Sequence, residues 1–212
     1  MNNLALIVGI TGTLAVGAIS PGPSFLLVAR TAVTASRANG LAAALGMGLG
    51  GTLLALVSLS GLQILLATVP WLHLALKLAG GAYLLYLGWR IWRSAAQPLT
   101  LDARAAPAAA SLWRSFGTGL VTQLSNPKTA IVYASVFTAF LPAAFSLSLA
   151  LVLALLVFLV ETLWYATVAL ALSSSAPRAW YLQFKQRIDR AAGAVMAGLG
   201  IKLLLSARPL SL

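Results

Sequence analysis

Cysteine is absent from the 212-residue chain, histidine occurs once, at His73, and acidic residues occur three times. Without thiols there are no disulfides, thiol relays or thiolate metal sites, and one histidine excludes a multi-histidine centre. No metal and no other cofactor is expected. No GxxxxGK[ST] run occurs, so there is no phosphate-cradling loop for ATP-driven work. Only 8% of residues are charged, against roughly 25% in an ordinary soluble domain.

What is there is apolar. Hydrophobic residues make up 60% of the chain and mean hydropathy is +0.95. This composition predicts an all-α integral membrane protein. A net charge of +11 would point a soluble chain at nucleic acid, but the bases here flank apolar runs, so no nucleic-acid partner is expected. A membrane helix needs about 20 mostly apolar residues. Six segments qualify: 4–30, 41–68, 71–93, 116–141, 146–173 and the short, Gly-rich 191–206. Met1-Asn2-Asn3-Leu4 lacks the basic start of a signal peptide, so the first segment is expected to remain as a helix.

Ten of the fourteen bases lie in or beside the first, third and fifth connections: Arg30, Arg37, Arg90, Arg93, Arg104, Arg114, Arg178, Lys185, Arg187 and Arg190. The positive-inside rule makes those connections cytoplasmic and, with six spans, puts both termini outside. Trp71, Trp89 and Trp92 stand at segment ends, and Trp113 and Trp180 beside cytoplasmic bases, as interfacial rings do. Residues 95–111 read as a cytoplasmic linker, and residues 177–190, basic with Trp180 and Phe184, as an interfacial helix.

Two proline breaks interrupt matching segments: Ser20-Pro21-Gly22-Pro23 in the first and Asn126-Pro127-Lys128 in the fourth. Proline removes a backbone donor, and freed carbonyls survive in hydrocarbon only when buried in protein or lining a wet cavity. The third and sixth segments also echo one another. Lys77-Leu78-Ala79-Gly80-Gly81 resembles Arg190-Ala191-Ala192-Gly193-Ala194, and Leu87-Gly88-Trp89-Arg90 resembles Leu199-Gly200-Ile201-Lys202, with one position of slippage. The expected architecture is a single membrane domain, 1–212. It comprises a three-helix repeat over 1–93, a linker over 94–115 and an inverted three-helix repeat over 116–212.

These residues also carry a family resemblance. The PGP run at 21–23, the Gly-rich second segment around Gly46-Met47-Gly48-Leu49-Gly50-Gly51, the stretch Lys77 to Gly88 and the Asn126-Pro127-Lys128 ending appear in order. Together they resemble the LysE/RhtB amino-acid exporters of bacterial inner membranes. The resemblance implies proton-driven export of small amino acids or derivatives. Members resembling the lysine and arginine exporters carry acids in the second helix and after the Asn-Pro motif. This chain has none there, which favours the RhtB-like branch and neutral, homoserine- or threonine-like substrates.

Glu161 is the only acid within an expected span, since Asp102 and Asp189 fall in cytoplasmic segments. A charge at bilayer centre costs about 3 kcal/mol on insertion scales, so Glu161 is either a proton-carrying group or one half of a structural bond. Lys128 reaches similar depth and is its expected partner. Ser20, Pro21, Gly22, Pro23, Gln123, Asn126, Pro127, Lys128 and Glu161 form the expected substrate-binding or coupling set. Tyr83, Tyr86, Trp164 and Tyr165 are candidate walls, although aromatics in a bundle more often pack than bind. Gly46 and Gly50 serve either packing within the chain or a homo-oligomer contact. Lys77 and Lys202 sit near span ends and can snorkel.

An enzyme would need a nucleophile–base pair or a metal cluster at membrane depth, which one histidine and one buried acid do not supply. A channel and a structural or assembly subunit of an inner-membrane complex remain as alternatives.

Overall fold

Proline and the small polar residues write the helix starts. In the computed structural model, described over residues 3–20, 22–68, 70–97, 111–142 and 144–207, eight helices follow one another. They are α1 (Asn3–Ile19), α2 (Pro23–Thr34), α3 (Arg37–Thr68), α4 (Pro70–Ser94), α5 (Leu112–Leu124), α6 (Pro127–Phe140), α7 (Leu147–Leu172) and α8 (Ser175–Leu205). Pro23, Pro70 and Pro127 are first residues of their helices, where the missing N–H costs nothing and φ is already helical. Ser111, Asn126 and Ser146 cap α5, α6 and α7 by accepting from Arg114 N, Lys128 N and Leu149 N. Pro21, most of the expected linker (98–110) and Arg208 lie outside the described residues, as do the side chains of Trp71, His73 and Arg178.

The first expected segment is two helices, α1 and α2, bent by 58° at the break. The fourth is likewise α5 and α6, 13 and 14 residues long, each too short to cross a bilayer alone. α7 and the first 26 residues of α3 are long and apolar enough to span, and the α1–α2 pair makes a third if counted as one. Length and apolarity alone therefore establish fewer spans among the described residues than the six expected. Leu151, Leu155, Leu159 and Leu163 are exposed along α7 at four-residue spacing, a stripe suited to lipid rather than water.

One expectation is corrected. Residues 177–190 are not a separate interfacial helix, because they run unbroken into the sixth segment as the 31-residue α8. The reason is a single buried face, Tyr181, Lys185, Asp189, Ala192 and Met196, that stays in helical register across the supposed boundary. Lys185 Nζ meets Asp189 Oδ2 at 2.7 Å one turn on, and also donates to Ala95 O just past α4.

Glycine sets how close the helices come. A Cβ on Gly46 would lie 2.1 Å from Phe116 O and one on Gly119 2.3 Å from Ala43 O, so α3 and α5 touch backbone to backbone. Gly50 abuts Gln123 and Gly48 abuts Thr162. The Gly46 and Gly50 pattern thus packs within the chain. α4 and α8 cross antiparallel on four glycines. Cβ atoms would lie 2.6 Å from Gly193 O at Gly88 and 2.7 Å from Gly81 O at Gly200.

Two apolar clusters result. One gathers Ile10, Leu59, Leu84, Phe137, Leu153 and Met196; the other gathers Phe25, Val28, Met47, Val168, Leu172 and Tyr181. Along α7, Glu161 falls between Val157 of the first cluster and Tyr165 of the second. The polar site lies at that seam.

Candidate functional site

The two breaks meet. Asn126, at the start of α6, donates from Nδ2 to Ser24 Oγ on α2 (2.9 Å), and Ser24 Oγ donates to Gln123 Oε1 on α5 (2.5 Å). Gln123 Nε2 donates to Glu161 Oε2 on α7 (3.1 Å), while Tyr133 on α6 donates its hydroxyl to Glu161 Oε1 (2.7 Å). All these side chains are buried. A buried carboxylate is tolerable only when both oxygens are satisfied, and two donors from two helices do that here. Gly51 supplies the room, since a Cβ there would come within 3.0 Å of the Tyr133 hydroxyl and 3.2 Å of Glu161 Cγ.

Lys128 does something else. Its Nζ donates to Gly17 O (3.1 Å) and Ser20 O (2.7 Å), two carbonyls at the end of α1. Pro21, four residues on from Gly17, has no N–H to offer that carbonyl, and the ammonium takes its place while also holding Ser20 O. The expected direct pairing with Glu161 is not formed within 4 Å among the described residues. Each group has its own hydrogen-bond partners, and both line one cavity of about 20 Å³. That cavity has room for about one water.

Ser20, Gly22, Asn126, Lys128 and Glu161 line this cavity, with Thr129, Tyr133 and Tyr165. Ser20 Oγ is buried with no hydrogen-bond partner among the described residues. A larger cavity of about 680 Å³ adjoins it, sharing Ser20, Gly22, Asn126 and Lys128, and adding Pro23, Pro127, Tyr83, Arg90 and Arg93. Of the expected set only Pro21 escapes description, and Gln123 joins through its bonds to Ser24 and Glu161. Among the candidate walls Tyr165 lines the small cavity and Tyr83 the large one, while Tyr86 is half exposed. Ser24, Tyr133 and Arg90 were not foreseen. Tyr133 lies one and two turns from Thr129 and Asn126 on the same face of α6, a spacing that marks it once Asn126 is known to face inward.

A helical chain with two broken helices, the carbonyls of the first held by a lysine from the second and a lone carboxylate behind them, has the form of a membrane transport protein. Comparison with known proteins agrees. The family model for LysE type translocators matches residues 15–207, and the chain belongs to that family. It is 36% identical over 196 residues to the threonine efflux protein of Escherichia coli (strain K12), covering 90% of this chain and 93% of that one. An uncharacterized membrane protein of Haemophilus influenzae is 32% identical over 191 residues, covering 89% and 90%. The leucine efflux protein of Klebsiella pneumoniae is 32% identical over 123 residues, covering 57% and 56%. No solved structure matches the chain.

Proposed function

We propose that the protein is a secondary exporter of small neutral amino acids or derivatives, threonine- or homoserine-like, driven by the proton gradient across a bacterial inner membrane. Six spans in two inverted halves, 1–93 and 116–212, surround the site, with the Arg90–Arg93 end in the cytoplasm and both termini outside. One observation carries the reading: both proline breaks converge on one small cavity that also receives Lys128 and the Glu161 network. The threonine and leucine efflux relatives supply the substrate class.

The chemistry suits a zwitterion. The substrate carboxylate meets the Lys128 ammonium and the N-terminus of α6, while its ammonium meets carbonyls freed at the first break. Ser20 Oγ is available to a substrate hydroxyl. In binding, the carboxylate competes with Gly17 O and Ser20 O for Lys128, and so loosens the tie that holds the α1 break to α6. Admitting an amino acid into a space for one water requires the breaks to part, and this competition couples loading to parting. Glu161 takes a proton when the site faces outside and releases it inside. Its bonds to Gln123 and Tyr133 transmit its charge state to α5, α6 and, through Ser24, to α2.

The test is efflux from cells preloaded with labelled threonine, homoserine and leucine, with and without a protonophore, for wild type and Glu161→Gln. Protonophore-sensitive efflux in wild type is expected. The variant should lose net efflux yet retain exchange of internal for external substrate, because exchange needs no proton cycle. Full net efflux in a normally expressed variant would reduce Glu161 to a structural bond. Wild-type efflux no faster than from empty membranes would overturn the exporter reading.

A further inference from the structure

Besides the two cavities at the breaks, a third of about 340 Å³ lies between α1, α4, α6 and α8, at the opposite end of the bundle. Its place follows from the helix crossing. α4 and α8 run antiparallel with Gly81 against Gly200 and Gly88 against Gly193, so their C-terminal ends point to opposite faces. Arg90 and Lys202 both lie two residues beyond a crossing glycine. In this crossing Arg90 is level with residue 191 and Lys202 with residue 79. At 1.5 Å rise per residue, their backbones stand about 16 Å apart along the bundle.

The two glycine contacts exchange with one another if Gly81 corresponds to Gly193 and Gly88 to Gly200, a constant offset of 112 residues without the slippage read from sequence. At that offset the cavity linings correspond. From α4 the 680 Å³ cavity takes Leu87, Arg90, Ile91 and Ser94, along with Tyr83, Trp89 and Arg93. From α8 the 340 Å³ cavity takes Leu199, Lys202, Leu203 and Ser206. The two linings share a leucine, a base, a branched aliphatic and a serine in the same four register positions, while Tyr83, Trp89 and Arg93 line the larger cavity alone. The serines make the same bond, Ser94 Oγ to Ile91 O and Ser206 Oγ to Leu203 O.

Each base also lacks a carboxylate within ion-pair distance among the described residues, where Lys185–Asp189 is the one salt bridge. Lys202 Nζ instead rests 5.3 Å over the Phe140 ring, a weak hold of about 0.5–1 kcal/mol at an exposed site. Lys202 is the one charged residue lining its cavity among the described residues, where an anion entering meets no competing acid.

We propose that Arg90 and Lys202 are a matched pair of carboxylate-recruiting cations at the two ends of the transport path, and that the 340 Å³ cavity is the chamber from which substrate leaves. The inference rests on the exporter reading. It adds the exit route and a residue, Lys202, that the break site does not include. Arg90 gathers the amino acid carboxylate on the cytoplasmic side, Lys128 holds it at the breaks, and Lys202 receives it on the far side.

The test uses the chain's lack of cysteine. Arg90→Cys and Lys202→Cys, each the sole thiol, are exposed to a membrane-impermeant thiol reagent from one side at a time, with and without threonine. Labelling of the residue-202 thiol from outside only and of the residue-90 thiol from inside only, each slowed by threonine, is expected. Lys202→Met should raise the half-saturating external threonine concentration in exchange about fivefold, the worth of an exposed charge pair, with the internal value unchanged. Arg90→Met should do the reverse, and Lys202→Arg and Arg90→Lys should restore both.

Labelling from the same side, or labelling indifferent to threonine, overturns the pair, as do unchanged half-saturation values in variants whose wild type transports. If the wild type moves no amino acid at all, the exporter reading falls and this inference falls with it. Those two failures are told apart by the wild-type flux.

Discussion

The two proline breaks solve one problem in different ways. The second is locally self-sufficient: Asn126 caps α6 through its own side chain, and Ser125 N and Asn126 N find carbonyls at Val121 and Gln123. The first is not. Gly22 gives α2 no side-chain cap, and the carbonyls of Gly17 and Ser20 are bound by Lys128, more than a hundred residues away. A break satisfied by its neighbours in sequence is fixed by the local chain. One satisfied from the other half of the molecule depends on how the halves sit. The first break is therefore expected to be the movable one, with Lys128 as its latch.

Removing the latch should have the largest effect. In Lys128→Met two buried carbonyls lose a donor, at about 1–3 kcal/mol each, while relief from burying an ammonium returns several kcal/mol. These oppose, so stability is expected to change little while efflux falls to background. The asymmetry itself is read by thiol reactivity. Ser20→Cys should react faster with a thiol reagent in the Lys128→Met background, and Ser125→Cys should react as before. Equal acceleration at both positions would mean that Lys128 holds the whole site rather than the first break.

A smaller effect separates the cap from the network at the second break. Asn126→Ala loses both the cap, worth about 1 kcal/mol, and the donor to Ser24. Asn126→Ser keeps a capping oxygen but is too short to reach Ser24. Melting in detergent should show the alanine variant about 1 kcal/mol less stable than the serine variant, with efflux impaired in both. Equal melting of the two would show that Asn126 contributes through Ser24 and not as a cap.

How much of this was legible in sequence depends on the range of the interaction. The breaks were, because proline acts on backbone groups within a few residues. Glu161 stood out because a lone acid in an apolar run has to be satisfied somewhere. Its partners Tyr133 and Gln123 were not both foreseen, since three different helices must pack before those side chains meet. Depth arguments placed Lys128 and Glu161 at one level and expected them to pair, yet depth says nothing of where Nζ points, and the carbonyls at the first break outcompeted the acid. The matched glycines of α4 and α8 were visible as an echo, but only their contacts across the crossing gave the register. Residues 177–190 read as interfacial from their bases and aromatics. The buried face from Tyr181 to Met196 overrode that, because composition does not show which residues a neighbouring helix will cover.

The smallest effect tests whether the first break can be made to resemble the second. Gly22 sits at φ −157° and ψ −171°, extended backbone open to any residue, and a Cβ there would meet only Lys128 Cδ at 3.5 Å and Nζ at 3.6 Å. Neither conformation nor space requires glycine. Gly22→Ser should therefore be accepted and give α2 the side-chain cap it lacks, for a gain of a few tenths of a kcal/mol, about 0.3. Its hydroxyl lies beside the Lys128 ammonium without displacing it from Gly17 O and Ser20 O. The expected outcome is a slightly higher melting temperature with efflux preserved, and a smaller rise in Ser20→Cys reactivity when Lys128→Met is added. A loss of stability instead would show that the first break needs backbone freedom at Gly22 that this one conformation does not use, and would place the hinge at the glycine rather than at the lysine that latches it.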